Sequence, residues 1–412
     1  MDSKAKLVEY ACYTSNLSMS VVGNLPALLY ITFRNLYGIS YSLLGLLAVI
    51  FFFAQLIIDL VFSFFSHKFN IRATVKAIPF ITLAGMVIYA LSPVLFPNSV
   101  YVGLVLGTVV FSSAAGLVEV LISPVIAALP SDDPDREMSK LHSVYAWGVV
   151  PVIILSTLFL LAFGGEMWQV LVAIFMIVPV LSAILFMKAE LPQMETPEKA
   201  SGALKLLKNK SVILCFFAIF LGGAAECTMA QWASGYIEQA LGIDKVLGDV
   251  FGVALFGAMM GLGRTAYAKF GKGIEKILFL GSIGAAFCYL VAAFVPVPAV
   301  GLVACGITGL CVSMLWPGTL IVASDRNPAG GVFIYALMAA GGDMGASAGP
   351  QLVGLITDFA ISNETLKGMA LSLGTSPEKF GMKLGMLVGA LFPLVAIFVF
   401  GHILRTKKKQ TL

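Results

Sequence analysis

The sequence predicts an all-α membrane protein of twelve transmembrane helices arranged as two six-helix, pseudo-symmetric halves. Three observations carry this. First, 59% of the 412 residues are apolar and only 12% are charged, with a mean hydropathy of +0.95. An ordinary soluble domain carries about 25% charged residues and needs them to face water. Second, the apolar residues fall into twelve segments, each long enough to cross the hydrocarbon at about 1.5 Å per residue. Third, Lys and Arg are distributed unevenly over the connections, as described below.

The expected spans are 8–33, 41–66, 73–93, 99–129, 140–164, 167–189, 211–241, 245–269, 274–294, 298–323, 329–359 and 382–405. Ahead of the first, Met1–Lys6 leads into an apolar run far longer than that of a cleavable signal peptide. An even number of spans puts both termini on one side. That side collects twenty-one Lys and Arg, including Lys68, Arg72, Arg136, Lys140, Lys208, Lys210, Lys269, Lys272 and Arg326. The other side has five: Arg34, Lys245, Lys367, Lys379 and Lys383. The positive-inside rule then puts both termini in the cytoplasm, and a multi-pass protein of the plasma (inner) membrane is expected.

The stretch 190–210 is the longest expected cytoplasmic connection and holds Pro192, Pro197 and several lysines. It separates an N-terminal half, 1–189, from a C-terminal half, 211–412, and reads as a linker. The stretch 360–381 reads as a long outer loop, with a glycosylation sequon at Asn363-Glu364-Thr365.

The halves repeat weakly but in register. Gly116-Leu117, Pro124 and Ser131-Asp132 recur at a constant offset as Gly309-Leu310, Pro317 and Ser324-Asp325, pairing span 4 with span 10. Lys68-Phe69-Asn70 after span 2 has its counterpart in Lys269-Phe270-Gly271 after span 8. Two parallel six-span halves are a known transporter plan, with the binding site near the midplane.

On these residues the chain resembles the major facilitator superfamily. Ser63-x3-His67-Lys68-x-Asn70-x-Arg72 keeps the spacing and basic positions of that family's signature between spans 2 and 3, with His67 where the family has Asp. Gly261-x-Gly263-Arg264 with Lys269-Phe270-Gly271-Lys272, Glu119, and Leu141-His142-Ser143-x-Tyr145-x-x-Gly148 resemble the fucose-permease-like sugar:proton symporters. The resemblance implies transport by alternating access and a proton-coupling role for Glu119. Those symporters also carry an aspartate in span 1, where this chain has Asn16 and Asn24 inside and Glu9 at the mouth.

Three acids lie deep within the spans: Glu119, Glu226 and Asp343. A charge at the bilayer centre costs at least about 2.5–3.5 kcal/mol, so such acids face the bundle interior and serve ion or substrate pathways. Burial penalises the charged form, which lets a carboxyl take up and release a proton. All three are candidate proton-coupling groups. In span 7, Thr228, Gln231, Trp232 and Gly235 share one helical face, while Glu226 points elsewhere. An amide beside an indole suits a sugar, hydroxyls meeting the one and the ring face the other. Asn24, Gln231, Trp232 and Trp316 are therefore the candidate substrate contacts. Asp59, sharing a face of span 2 with Gln55, is assigned to gating, with His142 and Arg264.

Several functions are excluded or set second. Gly345-x-Ser347-x-Gly349 matches a hydrolase nucleophile pattern but lies in a membrane helix rather than a strand–turn–helix elbow. The six cysteines show no metal-ligand spacing with His and read as small core residues. No enzyme activity, cofactor or metal is expected. No nucleic-acid partner is expected either, because the net charge of +4 comes from span ends. The expected partners are protons, a small solute such as a sugar, and the lipid bilayer, with the chain acting as a monomer. Proton-coupled efflux of amphiphilic compounds is the alternative. Its span-5 signature, Gly-x3-Gly-Pro-x-x-Gly-Gly, is absent, as span 5 reads Gly148-Val149-Val150-Pro151.

Overall fold

The computed structural model describes residues 3–39, 41–194, 206 and 208–410, and among these no strand occurs. Nine helices are each long and apolar enough to cross a membrane among the described residues. We number them in chain order together with three further long helices: α1 Ser3–Leu28, α2 Tyr41–Phe65, α3 Ile71–Ala90, α4 Val100–Ala127, α5 Pro134–Phe163 and α6 Gly165–Lys188. Then follow α7 Lys210–Gln239, α8 Val250–Phe270, α9 Ile274–Phe294, α10 Pro298–Arg326, α11 Gly331–Ser362 and α12 Pro377–Thr406. Twelve helical passes result. Of the expected linker, residues 195–205 and 207 lie outside the described residues.

The chain divides into two compact units. One comprises Met1–Val212 with Ser324–Ala340, and the other Ile213–Ala323 with Gly341–Leu412. In the first, α1 packs on α4, α5 and α6, α2 and α3 pack on α4, and α3 packs on α6. In the second, α8 and α9 pack on α10, and α9 packs on α12. The pairings α2·α4, α3·α4 and α3·α6 thus recur as α8·α10, α9·α10 and α9·α12, six helices on.

The repeated glycines explain part of this recurrence. A Cβ at Gly116 would lie 3.1 Å from Gln55 Cα on α2, and one at Gly309 would overlap the Phe256 carbonyl oxygen on α8. Lipid supplies no hydrophobic drive between helices, so close backbone approach through small residues is what holds such pairs. Polar side chains do the same for α1 and α5. Asn16 Nδ2 donates to the Leu141 carbonyl at 2.8 Å, and Ser20 Oγ to the Tyr145 carbonyl at 2.8 Å. A step of four along one helix matches a step of four along the other, so the two run parallel.

At the end of the first unit that holds the α1–α2, α3–α4 and α5–α6 connections, an aromatic core forms. Phe33 meets Trp168 edge-on at 4.9 Å between centroids, Tyr89 meets Phe111 at 5.5 Å, and the Trp168 indole donates to Tyr37 Oη at 3.0 Å.

Four expectations need correction. The first span is not continuous: the helix runs through Pro26 to Leu28, is interrupted at Leu29, and resumes as Tyr30–Tyr37. Span 8 is not uniformly α-helical, because Asp249–Ala254 is wound as a π-helix. The stretch 360–381 is largely helical rather than a loop. Asn363 caps the helix Glu364–Ser372 by accepting from Leu366 N at 3.1 Å. Ser376 caps α12 by accepting from Lys379 N at 3.2 Å, so α12 starts at Pro377, ahead of the expected 382.

Candidate functional site

In the first unit the polar residues gather where α2 and α4 touch. Glu119, half-buried, stands three residues after the close-packed Gly116. Gln55 Nε2 donates to Glu119 Oε2 at 3.2 Å. Asp59, one turn along α2 from Gln55, is fully buried, and carboxylate oxygens of Asp59 and Glu119 come within 4.8 Å of each other. One turn beyond Glu119, Ser123 Oγ lies 3.3 Å from His142 Nε2 on α5. Two residues assigned to gating therefore lie by Glu119, one beside its carboxylate and the other one helical turn away. Asn24 is half-buried and spends its amide N–H on the Ser20 carbonyl of its own helix, at 2.9 Å.

In the second unit Glu226 is engaged. Arg264 Nη2 on α8 lies 3.2 Å from both Glu226 oxygens, with the side chains 3% and 11% exposed. Two charges this deep survive only as a pair whose remaining hydrogen bonds are met. The guanidinium meets one of them with its Nε, which donates to the Ser313 carbonyl at 2.8 Å. That carbonyl is available for a local reason. In a straight helix it would accept from residue 317, but Pro317 has no N–H. The helix accordingly breaks between Val312 and Leu315. The Trp-Pro-Gly motif thus creates the acceptor that, with Glu226, anchors Arg264, tying α7, α8 and α10 together.

The indoles are also structural. Trp316 is half-buried, and its ring occupies space left by two glycines: a Cβ at Gly223 on α7 would lie 2.9 Å from Trp316 Cζ3, and one at Gly342 on α11 2.7 Å. Trp232 Nε1 donates to the Pro350 carbonyl on α11 at 2.9 Å, its ring against Gly354. Gln231 is exposed. Asp343 is 2% exposed and follows Gly342, the glycine that makes room for Trp316. Its neighbours Gly345 and Gly349 let α11 lie directly on α7: a Cβ at Gly349 would be 2.8 Å from the Ala224 carbonyl oxygen.

Two partnerships escaped the sequence reading. The Glu226–Arg264 pair had a signal, since two deeply placed opposite charges in neighbouring helices each need a partner. The Gln55–Glu119 hydrogen bond had only a weak one, the shared face of Gln55 and Asp59.

The arrangement has close counterparts in shape among solved structures. It is similar to the transporter FucP of the Major Facilitator Superfamily in its outward conformation, with a TM-score of 0.76 at 14% identity over 96% of this chain and 98% of that one. A variant of the E. coli fucose:proton symporter FucP matches with a TM-score of 0.71 at 15% identity, covering 97% of this chain and 99% of that one. The proton:xylose symporter XylE, bound to 6-bromo-6-deoxy-D-glucose, matches with a TM-score of 0.70 at 13% identity over 96% of both chains. At such identities the likeness shows the fold alone. No curated protein matches the sequence. The sequence profile of the Major Facilitator Superfamily, however, matches residues 11–350. The fold and that match agree, and they make the chain a member of the major facilitator superfamily, a transporter and not an enzyme.

Proposed function

We propose that this transporter couples the inward movement of protons to uptake of a sugar or similar small polar solute by alternating access. The observation that carries the reading is Glu119: a half-buried carboxyl in the middle of a membrane helix, held by the Gln55 amide. Such a group carries a proton more readily than Glu226, which an arginine already neutralises. Asp343 is the second candidate carrier. The sugar and proton chemistry of the similar structures supports the reading. So does the side-chain set proposed to meet solute: Asn24, Gln231, Trp232 and Trp316. Among them Gln231 is the exposed amide, while each indole also secures a contact between helices. His142 and Arg264 act in gating on this reading. The cation asymmetry supports cytoplasmic termini, and the plasma (inner) membrane is the location proposed.

The test is solute-driven proton uptake into proteoliposomes, with a panel of hexoses, deoxyhexoses and other small metabolites, for wild type and Glu119→Gln. A solute-dependent proton flux is expected in wild type. In Glu119→Gln the flux is expected to vanish while exchange of solute across the membrane persists. Solute uptake without protons would remove the coupling. No response to any sugar would favour efflux of amphiphilic compounds instead.

A further inference from the structure

We infer that Asp59 is the second carboxyl of the proton site, sharing one proton with Glu119. The inference rests on the proton-coupled reading for its purpose, but its physical basis is separate. It replaces the assignment of Asp59 to gating.

The two acids approach within 4.8 Å, oxygen to oxygen. Asp59 is fully buried and Glu119 half-buried. Two carboxylates at that separation in such surroundings do not both stay ionised; one keeps the charge and the other holds the proton. The approach is built in. Gly116 lets α4 sit against the α2 backbone, a Cβ there falling 3.1 Å from Gln55 Cα and 3.1 Å from Ile58 Cβ. The helices cannot part locally without losing that contact.

Gln55 adds an independent sign. It is 1% exposed, its amide head lies against Glu119, and its carbonyl oxygen Oε1 is buried with no hydrogen-bond donor. A buried amide oxygen without a donor is costly, by about 1–3 kcal/mol. A protonated carboxyl at this spot is a donor, and an ionised one is not. The proton that the pair takes from water converts one carboxylate to the neutral acid, leaves one negative charge, and gives the Gln55 oxygen a donor within its own cluster.

Other titratable groups sit on the helices packed around the pair. On α5 they include His142, tied to Ser123, and Tyr145. On α1 they include Glu9 and Tyr13, hydrogen-bonded to each other. On α3 they are Arg72 and Lys76 in the first turns and Tyr89 at the far end. His67 and Lys68 lie just past the end of α2.

The experiment is an infrared difference titration of the full chain in lipid vesicles, reading the C=O stretch of protonated carboxyls as pH is stepped. Wild type, Asp59→Asn and Glu119→Gln are compared. Sharing predicts that removing either carboxyl moves the titration midpoint of the other by about one pH unit or more. A Glu119 midpoint unmoved in Asp59→Asn would overturn the inference. Should Asp59→Asn fail to fold, Gln55→Leu keeps both acids and removes the amide that holds Glu119. Sharing then predicts a changed separation between the two titration steps, and an unchanged separation overturns it. Proton uptake driven by fucose and by xylose is read separately in the same vesicles. Coupled titration without any solute-driven uptake upholds the shared proton and sinks the sugar–proton reading; uptake with independent titration does the reverse.

Discussion

Gly116 and Gly309 show how much one missing methyl group decides in a membrane protein. At Gly309 another backbone fills the space a Cβ would take, and at Gly116 the neighbouring backbone leaves it only a tight fit. Gly309→Val should lower the melting temperature of purified protein, consistent with the roughly 1–3 kcal/mol that overpacking costs. Gly368 is the contrast: it is exposed in the helix Glu364–Ser372, with nothing within 4 Å of its Cβ position. Gly368→Ala should stabilise that helix by about 0.5–1 kcal/mol, because it removes backbone freedom from the unfolded chain only. Differential thermal melts of the two variants read both effects. At this scale the acids were legible in the sequence because hydrocarbon makes any carboxyl conspicuous. Their partners were less so. Arg264 lies 38 positions from Glu226 in sequence, on a different helix. Trp232, chosen for its ring, spends its N–H on the Pro350 carbonyl, which only the approach of α7 and α11 brings within reach.

Helices carry the next level. The ion pair of Glu226 and Arg264 joins α7 to α8, and removing one member leaves a buried charge. Glu226→Gln or Arg264→Met alone should each destabilise the protein by about 3–5 kcal/mol. The double replacement should recover most of that loss, because no charge is then left buried alone. Stability measured for all four forms of this cycle decides it; additive losses would show that the two residues act independently. Element boundaries were read less well than element existence, and for identifiable reasons. The stretch 360–381 is polar enough to suggest a loop, yet Asn363 and Ser376 are helix caps in plain view. The π-helix at Asp249–Ala254 left no comparable mark in the residue pattern.

For the whole molecule, hydropathy made twelve passes legible, and the offset between spans 4 and 10 made the repeat legible, because both follow from what lipid demands of a chain. The direction in which the molecule faces is a proposal drawn from charge alone. Single cysteines placed at Lys4 and at Gly368 in a cysteine-free background should react oppositely in intact cells, with the Gly368 position labelled by an impermeant maleimide and the Lys4 position protected. Labelling at Lys4 alone would invert the topology.

The carbonyl that Pro317 leaves open links two positions that share no codon neighbourhood. Restoring an N–H at residue 317 would return the Ser313 carbonyl to its own helix and withdraw one of the acceptors of Arg264. Changing Arg264 would strand that carbonyl in the bend. Neither residue can drift freely while the other stays, so among chains descended from a common ancestor the proline and the arginine should be inherited, and lost, together.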